Sequence, residues 1–131
     1  ADAEGLFDIK SPRVVMAGAH VDIEDYKMFI TDFSSFVFDF AYLCRPVLYF
    51  VPDYGQFKAG MNHYRELDLP FEKAFGPLVL EPESAVEEIK QAAGNGFDPE
   101  PIYAERMRNF YYPLENCAEA LYNEVSSWDC L

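Results

Sequence analysis

Thr31, Asp32, Ser34 and Ser35 stand together in the string Met28-Phe29-Ile30-Thr31-Asp32-Phe33-Ser34-Ser35, and Asp39 follows one helical turn later. Hydroxyls and backbone N–H groups gathered at the start of a helix are the chemistry of anion binding. The first-turn amides lack partners there, and the aligned peptide dipoles favour negative charge. A short apolar run ends in these small polar residues, and a second apolar segment, Phe36-Val37-Phe38-Asp39-Phe40-Ala41, follows at once. The pattern predicts a buried strand turning tightly into a buried helix, hence a phosphate- or nucleotide-binding corner of an α/β domain. Ser35, Asp39 and Tyr42 fall at i, i+4 and i+7 and share one stripe of that helix. A carboxylate in the stripe is placed to accept hydrogen bonds from the sugar hydroxyls of a nucleotide. The plainer reading is a stripe that meets water.

The elements that must position this corner read as one domain. The chain has 131 residues, half of them hydrophobic and 17% aromatic, enough for a sizeable core and too apolar for disorder. The formal net charge of −13 argues against nucleic acid or an anionic lipid surface as a general partner. A bound phosphate would then rest on backbone dipoles with one or two cations. No apolar stretch approaches the roughly 20 residues of a membrane span, and none reads as a signal peptide. Three cysteines, Cys44, Cys117 and Cys130, lack CxxC spacing and suggest reduced thiols in the cytosol. Cys44 and Cys117 lie on apolar helices and are expected in the core. His20 and His63 show no ligand spacing to any cysteine, so neither a metal nor a cofactor is expected.

In chain order, residues 1–12 read as a flexible lead-in and Val14-Val15-Met16 as a short strand. Gly18-Ala19-His20 reads as a loop, and Asp22 as the N-cap of a short helix through Lys27. Strand Phe29 to Thr31 leads into the corner and a helix from Ser35 to Leu43, ended by Arg45-Pro46. Val47-Leu48-Tyr49-Phe50-Val51 is apolar without alternation, so both of its faces should be covered, as in a parallel sheet. Pro52-Asp53-Tyr54-Gly55 is turn chemistry at its carboxyl end, where open α/β sheets carry their sites. Residues 56–75 are irregular, with room for a short helix and a loop. Gly76-Pro77 precedes a last strand, Leu78 to Leu80. A helix over Ser84 to Ala93 follows, with Ser84 and Glu87 as its capping box and Ala85, Val86, Ile89 and Ala93 facing inward. Gly94-Asn95-Gly96 stops it. Two further helices run from Pro101 to Phe110 and from near Asn116. Their stripes (Ile102, Tyr103, Met107, Phe110; Cys117, Leu121, Val125, Trp128) read as packing faces. Strands alternating with helices predict an α/β domain with a mostly parallel sheet.

The corner string, from Phe29 to Phe40, resembles the ITDYSS(x)xFD(F/Y) signature of the CDP-glycerol glycerophosphotransferases, bacterial enzymes of teichoic-acid and related polymer synthesis. Arg45-Pro46-Val47-Leu48-Tyr49-Phe50 is similar to the family's RPIIFY strand, Asp53-Tyr54 to its loop, and Gly76-Pro77-Leu78-Val79 to its PGPIV strand. The similarity runs from about Val14 to the C-terminus and weakens after Glu81.

The resemblance implies a Rossmann-like, three-layer α/β/α domain over residues 1–131, part of the donor-binding C-terminal half of a GT-B fold. It implies transfer of glycerol phosphate from CDP-glycerol to a lipid-linked acceptor, by a protein peripheral to the inner face of the cell membrane. Thr31, Asp32, Ser34 and Ser35 would line the donor's phosphates, Asp39 would stand at the family's acidic position, and Asp53 and Tyr54 would border the donor. The family's essential histidines precede this stretch, one of them in an Arg/Lys-x-His-Pro context. Neither context exists here, and His20 and His63 read as loop residues. Two strands expected between Val14–Met16 and Phe29–Thr31 are also missing. The chain is therefore expected to be a piece of a larger enzyme, inactive alone and open to self-association through exposed sheet edges. Two other readings remain: a related transferase using CDP-ribitol or a nucleotide sugar, and a non-catalytic α/β interaction module whose serines only cap a helix.

Overall fold

The computed structural model describes residues 13–14, 22–59, 67, 69–111 and 116–128. Three strands, β1 (Phe29–Thr31), β2 (Val47–Phe50) and β3 (Leu78–Val79), form a parallel sheet in that spatial order. Ile30 pairs with Leu48 and Thr31 with Tyr49 across the first ladder; Tyr49 pairs with Leu78 across the second. The connections carry helices: α1 (Val37–Tyr42) between β1 and β2, and α2 (Tyr54–Lys58) after β2. After β3 come α3 (Pro82–Gly94), α4 (Pro101–Phe110) and α5 (Cys117–Ser127).

β2 is central and almost fully buried, as its unbroken apolar run requires. Its alternate side chains sort the molecule into layers. Val47, Tyr49 and Val51 pack with Val37, Phe40 and Ala41 of α1, with Phe71, Ala74 and Phe75, and with Met107 of α4. Leu48 points the other way, against Val79 and Ala85 of α3. Helices on both faces of a small parallel sheet make a three-layer α/β/α domain, the Rossmann-like class the alternation implied. Gly76 lets β3 come alongside β2, since a Cβ there would lie 1.8 Å from the Val47 carbonyl oxygen. The approach is secured by the Tyr49 N–H donating to the Pro77 carbonyl at 2.9 Å.

Several local expectations need correction. Cys44 is not in the core. It follows α1 with φ +52°, its N–H donates to the Ala41 carbonyl, and the Arg45 N–H donates to the Phe40 carbonyl. These two bonds are a Schellman closure, which turns the chain outward and leaves the thiol exposed. Cys117 is exposed as well, because α5 buries none of its residues; Leu121, Val125 and Trp128 meet solvent. The third helix begins at Pro82, two residues earlier than expected, and Ser84 does not cap it. Proline's fixed φ suits the first helical position, so Glu81 becomes the N-cap residue. The inward face is correspondingly rotated: Ala85 is buried and Ile89 and Ala92 are half-buried, whereas Val86 is exposed. Asp22 caps only a 3-10 turn, Ile23–Asp25, through its side chain to the Glu24 N–H. In α4, Met107 is buried but Ile102 is exposed. Val15, Met16 and the loop at Gly18 to His20 lie outside the described residues, as do His63 and Cys130.

Candidate functional site: the corner after the first strand

β1 ends at Thr31, half-buried and paired with Tyr49. The chain then needs five residues to reach α1, and their own side chains shape the turn. The Asp32 carboxylate accepts the Phe33 N–H at 2.6 Å, and the Ser34 hydroxyl oxygen accepts the Phe36 N–H at 3.2 Å. Short polar side chains bonding to nearby amides are the usual devices of tight turns. The N–H groups of Val37, Phe38 and Asp39 donate to the carbonyls of Ser34, Ser35 and Phe36, so the helix is entered through 3-10-type bonds.

This geometry revises how the corner would hold an anion. α1 has only six residues and its first-turn amides are already engaged. Its macrodipole is correspondingly small. What stays available are the N–H groups of Ser34 and Ser35, which donate to no acceptor among the described residues, and the serine hydroxyl protons. Ser34, although it accepts from Phe36, still has its O–H to give. The anion-binding capacity sits in the turn rather than in the helix.

Ser34, Ser35 and Asp32 border a cleft of about 180 Å³ whose other described walls are Phe33, Val37, Phe38, Tyr49, Leu67, Leu69 and Phe71. Phe33 is fixed by stacking on Phe57 of α2, ring centroids 4.5 Å apart. Tyr49 is 5% exposed, and its buried hydroxyl makes no hydrogen bond of good geometry among the described residues. Burial pushes that phenol up to about 12, against a smaller opposing pull from the Phe75 backbone and a further push from Tyr111. An unpaired buried hydroxyl costs about 1–3 kcal/mol.

The sequence-predicted residues are only partly brought together. Asp32, Ser34 and Ser35 share the cleft; Thr31 stands at its strand-side approach without forming a wall. Asp39 is exposed on α1, away from the cleft wall, beside Tyr111. Burial and, after it, the Asp39 charge raise the Tyr111 phenol, whose O–H donates to the Phe38 carbonyl. Tyr42 packs edge-on against the same Tyr111, centroids 5.5 Å apart. Asp53 lies in the turn after β2 and Tyr54 opens α2, where it contacts Phe71, a wall of the cleft. Lys58 of that helix stands 4.8 Å over the Tyr54 ring, a cation at the same carboxyl edge of the sheet. Tyr49, read from the sequence as one more core residue of β2, lies in the core.

A larger cavity of about 400 Å³ lies at the opposite edge of the sheet, among Met28, Pro46, Pro77, α3 and the start of α4. Glu88, Asp98 and Glu100 line it, which is the wrong charge for a phosphate, and it contains none of the corner residues. Size alone does not select it. Among the described residues no helix is long and apolar enough to cross a membrane.

Comparison with known proteins bears on the same corner. The family model described as CDP-Glycerol:Poly(glycerophosphate) glycerophosphotransferase matches residues 8–127. The chain is 45% identical over 78 residues to the teichoic acid poly(glycerol phosphate) polymerase of Bacillus subtilis (strain 168), covering 56% of this chain and 10% of that protein. It is 31% identical over 102 residues to the minor teichoic acid biosynthesis protein GgaB of the same strain, covering 76% of this chain and 11% of that protein. With the poly(glycerol phosphate) polymerase of Bacillus spizizenii it shares 40% identity over 83 residues, 63% of this chain and 19% of the relative. The chain thus spans between a tenth and a fifth of the length of these relatives. No solved structure matches it. Matched over nearly its whole length, with the strand-to-helix corner inside the matched span, the chain belongs to the CDP-glycerol:poly(glycerophosphate) glycerophosphotransferase family.

Proposed function

We propose that this chain is the donor-binding part of a transferase that moves glycerol phosphate from CDP-glycerol to a lipid-linked polyol-phosphate acceptor. The observation that carries the reading is the turn at Asp32–Ser35, where two serine amides donate to no acceptor among the described residues and both serine hydroxyl protons remain to be given, beside a cleft at the carboxyl edge of a parallel sheet. Brought together by one diphosphate, those donors form charge-assisted hydrogen bonds, the stronger kind. Thr31 borders this phosphate region. Asp39, one turn along α1, addresses the ribose, and Asp53 and Tyr54 flank the donor from the neighbouring strand end. The surrounding architecture is the nucleotide-binding half of a GT-B enzyme, peripheral to the inner face of the membrane.

The acceptor hydroxyl must give up its proton during transfer, which requires a base placed within hydrogen-bond reach. The cleft offers no histidine among its described walls, and the Asp32 carboxylate is tied to the Phe33 amide. We place the base outside the described residues and assign this chain to donor binding without transfer. The test is a nitrogen-15 NMR titration of the chain with CDP. Localised shifts at Ser34, Ser35 and Tyr54 are expected, and a purely structural module would show none. Phosphate contacts do not identify the base, so CDP-glycerol, CDP-ribitol and a UDP-sugar should be compared in the same titration.

A further inference from the structure

The cavity of about 400 Å³ at the amino edge of the sheet is poor in hydrogen-bond donors and rich in acceptors. Its floor is apolar, from Met28, Val47 and Phe75. Three wall positions are prolines, Pro46, Pro77 and Pro99, which have no N–H to give. Two side-chain amides also line it, and each already donates within the wall. Gln91 Nε2 gives to the Glu100 carboxylate at 2.8 Å, and Asn95 Nδ2 to the Asp98 carbonyl at 3.3 Å. Against these stand the carboxylates of Glu88, Asp98 and Glu100, with no cation among the described residues that line the cavity. Tyr103, on the same wall, senses two of them. Its phenol is raised first by burial and then by the Glu100 charge; Arg106 pulls the other way, and Glu88 adds a smaller push. Arg106 is turned to the Ala74 carbonyl at 2.9 Å and does not line the cavity.

We propose that this cavity docks a basic segment of a partner protein, with one arginine side chain entering between α3 and α4 and its guanidinium among Glu88, Asp98 and Glu100. The guanidinium carries five N–H donors in a planar fork and no acceptor, which is the complement of this wall. Its methylene stem lies against the hydrocarbon floor while the charge stays near the mouth. A cation there also relieves the repulsion among three like charges. Other occupants fail on charge or on shape. Nucleic acid, phosphorylated ligands and anionic lipid bring negative charge to carboxylates, and a second copy brings a net charge of −13 to another. A bare metal ion leaves the apolar floor uncovered. The cavity and the Asp32–Ser35 turn lie at opposite edges of the sheet, so a partner seated here leaves the donor site open.

The test is an NMR titration of the nitrogen-15-labelled chain with a short peptide, blocked at both ends, that carries one central arginine between glycines. The same peptide with citrulline, the neutral isostere, is run beside it. The arginine peptide should shift the amides of Gln91, Asn95, Asp98 and Tyr103, and the citrulline peptide should bind at least about fivefold more weakly. Glu88→Gln and Glu100→Gln should each weaken arginine binding about fivefold, the upper end for an ion pair open to water. Glu119→Gln on α5 removes the same charge elsewhere and should stay within twofold. Ala92→Phe keeps every charge but fills the cavity from α3, and should abolish the shifts. The proposal is overturned if the arginine peptide leaves those amides unmoved or if citrulline binds as well. It is overturned too if Glu119→Gln weakens binding as much as Glu100→Gln, which would reduce the effect to general negative charge. Undiminished binding to a folded Ala92→Phe overturns it by placing the contact outside the cavity. None of these measurements uses a nucleotide, so their failure leaves the reading of the corner untouched.

Discussion

Ser34 and Ser35 are neighbours with different jobs in the turn, and single alanine substitutions should separate them. The Ser34 hydroxyl accepts the Phe36 N–H at 3.2 Å, so Ser34→Ala removes a bond that shapes the entry to α1. Loss of a side-chain cap of this kind costs typically about 1 kcal/mol. Per-residue unfolding entropies make that a fall of about 4 °C in melting temperature for a domain of this length. Ser35 makes no described side-chain hydrogen bond, is exposed, and its removal should leave the melting temperature within about a degree. On CDP the two should behave alike. A hydroxyl bonded to a charged phosphate contributes about 1.5–3 kcal/mol, reduced towards the lower end at a mouth open to water, so each variant should bind about tenfold more weakly. Calorimetry with CDP and a differential scan on the same samples read both quantities. The reasoning is refuted if Ser35→Ala binds CDP within twofold of wild type. If instead Ser35→Ala loses as much stability as Ser34→Ala, the capping geometry assigned to Ser34 is wrong.

Two further outcomes follow from the packing. Gly76→Ala places a Cβ 1.8 Å from the Val47 carbonyl oxygen and 2.6 Å from its carbon, both backbone atoms that cannot rotate away. β3 must move off β2, and a loss of about 3 kcal/mol is expected by urea denaturation; a loss below about 1 kcal/mol would show that the close approach is unnecessary. The raised Tyr49 phenol makes stability depend on alkaline pH. The unfolded chain releases this proton near pH 10 while the folded chain holds it to about 12, so the contribution is complete below 10 and declines between those values. Tyr103 and Tyr111 are raised too, chiefly by burial, and add to the slope. Tyr49→Phe should therefore flatten the slope without abolishing it, and a slope equal to wild type would contradict the burial of that phenol.

The central strand and the corner were legible because their signals are local and strong. An unbroken apolar run gave β2, and small polar residues between apolar segments gave the turn, whose strand ends at Thr31 as read. Pro101 set the start of α4 for the same reason. The misreadings have physical causes too. Ser84 looked like a cap because serine commonly is one, but Pro82 had already started the helix. Cys44 looked buried because its helix is apolar, yet the closing bonds of that helix decide where the next residue points. The pairing of Asp39 with Tyr111 is not a misreading but a contact spacing cannot show, since its charge acts on a residue 72 positions later that no periodicity connects to it. The cleft walls at Leu67, Leu69 and Phe71 come from a segment without period, and only tertiary packing assembles them.

The two faces of the sheet are unequally held, and this affects how the protein breathes. Among the described residues, one face is closed by ten buried side chains reaching from α1 to Met107 of α4, rich in stacked and edge-on rings; the other by Leu48, Val79 and Ala85 beneath α3. Local opening is cheapest where the least apolar surface must be exposed. Transient detachment of α3 would widen the acidic cavity at the amino edge and leave the aromatic face closed. The Asp32–Ser35 turn belongs to the closed face, so fluctuations that loosen one side of the sandwich leave the donors of the turn in register. A nucleotide would thus meet an already assembled site even while the opposite layer exchanges with solvent.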